Sequence, residues 1–304
     1  MNLKQQVLLL ASAGILAAGC GSADFKKNKD GLVYKIISSG KGDQIKPGQL
    51  LKLNFSSVVG DSVMFSTFDH IPAYGKYDTT TQSAYDFIDF LGEMKIGDSA
   101  EYVRSVDTLL KRGQLQLGGP FKKGGTIKGY LKVLGAFKNE AEMNTDHEKE
   151  VEIEKKREVA SLEKYIQDKK LGNPVKTTNG VLVVMEKEGT GAKADSGLKV
   201  TVNYTGALKN GNKFDSNLDS TFQHVKPYEF VVDAHQVIPG WDEGIKLFKE
   251  GGKGKMFIPA MLAYGPQSQG ERMPAFSDLV FDIELLKVGP ADVSPAVPEM
   301  PLQK

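Results

Sequence analysis

Apolar and polar residues alternate, or apolar residues run together, over four short stretches in the second half of the chain: residues 198–204, 228–232, 255–259 and 279–287. Runs of this length and period read as β strands. Turn signals bound them, among them Lys209-Asn210-Gly211-Asn212, where Asn-Gly suits a tight hairpin. One short helix is predicted near residues 241–248, giving an antiparallel sheet with a helix covering one face. The pattern also occurs earlier. GLVYKIISSGKG from Gly31 returns as GVLVVMEKEGTG from Gly180, 149 positions later. The offset holds for LLKLNF ending at Phe55 against KVTVNY ending at Tyr204, and sets Phe65-Ser66 against Phe214-Asp215. It then drifts by a few residues, with KIGDSAEYV from Lys95 opposite KEGGKGKMFI from Lys249 and TIKGYLKVLG from Thr126 opposite LVFDIELLKVG from Leu279. Solenoid repeats are about 20 to 50 residues long, so this spacing reads as a duplicated globular domain.

Between the copies, residues 139–170 contain no Gly or Pro and alternate glutamates with lysines, a long-helix composition. Glu152 and Lys156 stand four apart in the favourable order, and Val159, Leu162 and Ile166 form a narrow apolar stripe. Gly172 and Pro174 stop the helix. The stripe fits a spacer or dimerising arm, which would make a homodimer through this helix, and equally a surface helix packed on its own domains. The expected fold class is α+β: two domains, each an antiparallel sheet on a short helix, joined by a long charged helix.

The first twenty residues change the picture of where the chain resides. Lys4, an apolar stretch of about twelve residues from Val7 and small residues before Cys20 read as an export signal, too short to span a bilayer. Leu16-Ala17-Ala18-Gly19-Cys20 resembles a bacterial lipobox, with Ala17 where leucine is usual, and implies cleavage before Cys20 and lipid chains on it. Several chains anchor a protein firmly where one holds it marginally. The expected divisions are a lipoprotein signal peptide at 1–19, a tether at 20–30, a first domain at 31–137, a helical linker at 138–172, a second domain at 173–289 and a proline-rich tail at 290–304. Gly21 after the cysteine favours the outer membrane within the cell envelope.

Charge adds an exclusion. The 39 basic and 38 acidic residues leave a net charge of +1, so no nucleic-acid partner is expected. Thirty-three glycines in 304 residues favour turn-rich β structure. The four histidines are scattered and Cys20 is the sole cysteine, so neither a metal, nor another cofactor, nor a thiol catalyst is expected.

Five segments of the second copy carry the chemistry: VTVNYTG from Val200, GNKFDS from Gly211, VIPGWDEG from Val237, IPAMLAYG from Ile258 and LVFDIELLKV from Leu279. In this order they resemble the FKBP-type prolyl cis/trans isomerases. The resemblance implies an isomerase domain acting on proline-containing polypeptides, with a pocket for the proline ring built from Tyr204, Phe214, Asp215, Tyr228, Val237, Ile238, Trp241, Tyr264 and Phe281. It implies Trp241 as the floor and Phe214, Val237 and Phe281 as walls. The Ile238 N–H and Tyr264 hydroxyl would donate to bound carbonyls, and Asp215 would orient a polar group at the rim. Met273 supplies one more apolar contact in a rim segment, GPQSQGERMPAF, where Gln269 and Arg272 depart from many relatives. The first copy has Phe55 for Tyr204, Ser66 for Asp215 and no VIPGW segment, only Phe87 near the matching helix. It is expected to keep the fold without the activity. The function implied is assistance to exported proteins folding in the cell envelope; a non-catalytic chaperone or assembly scaffold is the alternative.

Overall fold

The computed structural model describes residues 25–80, 87–270 and 272–291. The export signal, Cys20 and residues 292–304 lie outside them. The chain divides between Glu152 and Ile153, inside its longest helix, into two compact units.

In the first unit the strands are β1 (Lys26–Lys27), β2 (Val33–Ile37), β3 (Leu50–Val59), β4 (Ser62–Ser66), β5 (Ala73–Lys76), β6 (Ser99–Ser105) and β7 (Thr126–Phe137). They form one antiparallel sheet in the order β1-β2-β6-β7-β3-β4, with β5 also on β3. Lys26 and Lys27, read from the sequence as tether, therefore belong to the sheet edge. Two short helices follow the chain, α1 (Ile88–Leu91) and α2 (Val106–Lys111). The core gathers Leu51, Leu53 and Phe55 of β3 with Phe87, Phe90 and Leu91.

The long helix α3 runs Glu140–Lys169. Its first half is tied to the first unit by polar contacts: Lys52 bridges Asp146 at 2.6 Å and Glu150 at 2.8 Å, and the Tyr74 hydroxyl donates to Asp146 at 2.6 Å. Its second half is tied to the second unit by burial. Leu162 and Ile166 are fully buried against Leu182, Val184 and Phe257. The stripe read from the sequence as either an arm or a packed surface is packed on its own domain here.

The second unit repeats the first strand for strand: β8 (Val175–Lys176), β9 (Leu182–Lys187), β10 (Leu198–Leu208), β11 (Lys213–Ser216), β12 (Tyr228–Val231), β13 (Lys253–Ile258) and β14 (Leu279–Pro290). The order is β11-β10-β14-β13-β9-β8, with β12 also on β10. Helix α4 (Pro239–Gly244) runs into a 3₁₀ turn, Ile245–Leu247, and covers one face. Pro239 sits at the start of α4, where its missing N–H costs little. Gly240 and Gly244 let the helix approach β13, since a Cβ on either would overlap Ile258 or Met256.

Candidate active site

Strand alternation sends Val200, Val202, Tyr204 and Gly206 of β10 to the helix-covered face, and the site grows from the last two. Gly206 pairs with Phe281 of β14 across the ladder. A Cβ on Gly206 would stand 2.6 Å from the Phe214 ring and 2.7 Å from Phe281, so only glycine lets the two rings close over the strand. Beneath them α4 presents Trp241, 4% exposed.

The rings stand edge-on around the indole. Tyr204 lies 5.2 Å from Trp241 at 86°, Phe281 5.1 Å at 90° and Tyr228 6.2 Å at 86°. Phe214 meets Phe281 at 5.5 Å and 87°. These are the edge-to-face arrangements that ring quadrupoles favour. They enclose a cavity of about 450 Å³ lined by Tyr204, Phe214, Asp215, Tyr228, Val237, Ile238, Trp241, Tyr264 and Phe281, together with His235 and Gln236. Thus nine of the ten pocket residues read from the sequence come together. Met273 does not line the cavity; it is buried in the core beside it.

Polar groups sit at the mouth. The Tyr204 hydroxyl donates to Asp215 Oδ2 at 2.7 Å; burial first, and then this bond and the carboxylate's charge, push the phenol well above its ordinary range. Ile238 caps α4: its carbonyl accepts from the Trp241 N–H at 2.9 Å, while its own N–H has no acceptor among the described residues. Tyr264 is 39% exposed and follows a 3₁₀ turn, Ala260–Leu262, held by two carboxylates. Asp278 Oδ1 accepts from the Ala260 N–H at 3.1 Å, and Glu158 Oε2, reaching from α3, accepts from the Met261 N–H at 3.0 Å.

Two features of this site escape sequence reasoning. His224, in the loop after β11, places Nε2 2.8 Å from Asp215 Oδ1, yet no motif flanks it. Glu158 belongs to a helix whose composition suggests only solvated charge, yet its side chain is buried beside the turn that precedes Tyr264.

Register corrects one residue equivalence in the first unit. Gly206 pairs with Asp215, but Ser57, its counterpart on β3, pairs with Phe65 rather than Ser66. Ser66 instead matches Ser216: each hydroxyl accepts from the N–H two residues on, Phe68 and Leu218. The hairpin is one residue shorter, so a phenyl ring stands where the second unit has its carboxylate. By the same register Ala73 replaces Tyr228 and Gly129 replaces Phe281. Tyr102 fills the vacated space, because a Cβ on Gly129 would overlap its ring. Phe55 packs at a tilt against Phe65, at 5.1 Å and 35°, and against Phe87, at 5.2 Å and 54°. The first unit keeps the frame and carries a smaller cavity, about 280 Å³, lined by Leu53, Phe55, Ala73, Phe87 and Leu91 among others.

An antiparallel sheet closed by one short helix, with an aromatic box at the helix N-terminus and hydrogen-bond donors on its rim, defines a domain that binds a compact apolar ring and its flanking amides. A family model described as FKBP-type peptidyl-prolyl cis-trans isomerase matches residues 190–286. An FK506-binding protein of Neisseria meningitidis is 44% identical over 109 residues, 36% of this chain and 96% of that protein. The FKBP-type peptidyl-prolyl cis-trans isomerase FkpA of Buchnera aphidicola is 32% identical over 196 residues, 64% of this chain and 78% of its own. Among solved structures, FkpA from Escherichia coli covers 50% of this chain and 68% of its own at 33% identity, with a TM-score of 0.37. The chain belongs to the FKBP-type peptidyl-prolyl cis-trans isomerases.

Proposed function

We infer that this isomerase works in a bacterial cell envelope, held to the membrane through lipid on Cys20, and speeds the folding of exported proteins by turning their Xaa-Pro bonds in the pocket around Trp241. The observation that carries the catalytic part is the aromatic box around Trp241, with donors on its rim. Rotation about a prolyl bond faces a barrier of about 18–20 kcal/mol because the amide loses its resonance when twisted. No bond need be made to the protein. A site lowers the barrier by fitting the twisted amide better than either planar isomer.

Trp241 supports the ring face; Phe214, Phe281 and Val237 hold its edges; Tyr204 and Tyr228 close the sides. The Ile238 N–H and Tyr264 hydroxyl take the carbonyls on either side of the turning bond. Asp215, fixed by Tyr204, meets the polar backbone at the rim. A dry cavity also withdraws water from the imide carbonyl, whose hydrogen bonds favour the planar form.

The lipobox-like run ending at Cys20 supports the location. Metabolic labelling with palmitate and membrane fractionation test it: the wild type is expected in the membrane fraction carrying label, and Cys20→Ser unlabelled and released. An equally membrane-bound, labelled C20S protein would overturn the anchor.

A further inference from the structure

The 3₁₀ turn Ala260–Leu262 opens with two N–H groups, those of Ala260 and Met261, that the turn itself cannot satisfy. Each has a carboxylate: Asp278 Oδ1 accepts from Ala260, and Glu158 Oε2, from α3, accepts from Met261. The two are linked, because Lys209 Nζ donates to Asp278 Oδ2 at 2.6 Å and to Ser161 Oγ of α3 at 2.8 Å. Helix α3 thus holds the turn directly through Glu158 and at one remove through Ser161, Lys209 and Asp278. We propose that Glu158 and Lys209 are positioning residues of the isomerase site: they fix the turn, and with it the Tyr264 hydroxyl that meets a substrate carbonyl at the rim of the cavity.

The burial of Glu158 is what a helix merely lying on its domain does not need. The residue is 6% exposed, and its second oxygen, Oε1, is buried with no hydrogen-bond partner among the described residues. A carboxyl buried with one oxygen unpaired costs stability that a solvated glutamate would not. Burial raises its carboxyl to about 7, and charged or neutral it keeps an oxygen able to accept from Met261.

The turn in turn sets the place of Tyr264. Tyr264 lines the cavity, and its hydroxyl has no hydrogen-bond partner among the described residues, so the backbone that carries it decides where it stands. That backbone closes on Ala260, whose carbonyl accepts from the N–H groups of Ala263 at 2.9 Å and Gly265 at 2.8 Å, the neighbours of Tyr264 on either side. A shift of Ala260 or Met261 therefore passes directly to the tyrosine.

This role rests on isomerase activity at the pocket. Its test is kcat/KM of the full chain for a prolyl peptide, for wild type, Glu158→Met, Glu158→Gln and Lys209→Met, each with and without Tyr264→Phe, in double-mutant cycles with the fold checked by thermal unfolding. E158M keeps the side chain's length and removes the acceptor, whereas E158Q restores it. Lys209 is one-third exposed in the hairpin between β10 and β11, so K209M carries the same comparison in a folded chain if E158M does not fold. Y264F is expected to lower kcat/KM about three- to tenfold, of the order of one hydrogen bond. E158M and K209M should each lose at least about twofold alone and nothing further in the Y264F background, and E158Q should recover the activity that E158M loses. Folded E158M or K209M chains that match wild type, losses of equal size in both backgrounds, or a fully active Y264F would overturn the proposal while leaving the isomerase reading standing. A wild type without activity would instead remove the isomerase reading, and this inference with it.

Discussion

Gly206 determines how closely two aromatic walls can approach the sheet, and a single methyl group there tests the pocket without touching its floor. Gly206→Ala would push Phe214 or Phe281 off its present rotamer, since the added carbon falls at 2.6–2.7 Å from both rings. Overpacking of this kind costs about 1–3 kcal/mol. The expected outcome is a folded protein whose kcat/KM for a prolyl peptide drops about tenfold or more, checked by far-UV circular dichroism alongside the assay. At this scale the sequence was readable where a residue sits inside a motif. Trp241, Val237 and Ile238 were legible because VIPGWDEG fixes their neighbours. His224 was not, because nothing in Gln223-His224-Val225 says which way the loop turns, and Phe65 was misaligned because a one-residue change in hairpin length is invisible without the ladder.

Helix α3 is one element with two attachments. A charged surface composition predicts only that it is long and solvated, and that prediction holds for most of its residues. What composition does not show is that four residues of the part in the second unit, Glu154, Glu158, Leu162 and Ile166, are buried. Leu162→Ala would empty space against Leu182, Val184 and Phe257 and is expected to cost about 2–5 kcal/mol, read from the urea midpoint of the second unfolding unit. Glu158 gives a pH signature. Burial, with Asp278's charge adding to it and the Met261 N–H opposing, pushes its carboxyl from 4.5 up to about 7. The folded state therefore holds a proton that the unfolded state has released between those values. Stability from this group is complete below about pH 4.5 and is lost as pH rises through about 7, by up to about 3 kcal/mol. Glu158→Gln keeps an acceptor for Met261 without the charge. Its melting temperature should match wild type near pH 4.5 and exceed it at pH 8; equal values at pH 8 would show that the carboxylate is not buried as described.

The whole molecule is one topology used twice, and the site residues of the second copy are not repeated in the first. Seven strands recur in the same order in both sheets, and that repetition was legible from the 149-residue offset because strand patterns survive substitution. The first unit differs at four register positions, Phe55, Phe65, Ala73 and Gly129 against Tyr204, Asp215, Tyr228 and Phe281, and has no tryptophan to match Trp241. Without counterparts of the Tyr204–Asp215 pair and the Phe281 wall, the first unit's smaller cavity of about 280 Å³ is not expected to turn a prolyl bond. All isomerase activity should then depend on the second unit's indole. The direct measurement is kcat/KM of the full chain for a prolyl peptide, wild type against Trp241→Leu, with the fold of both checked by thermal unfolding. The expected result is loss of at least about nine-tenths of the activity in a protein that still unfolds cooperatively. A folded W241L chain that keeps wild-type activity would place the catalysis elsewhere and contradict the assignment.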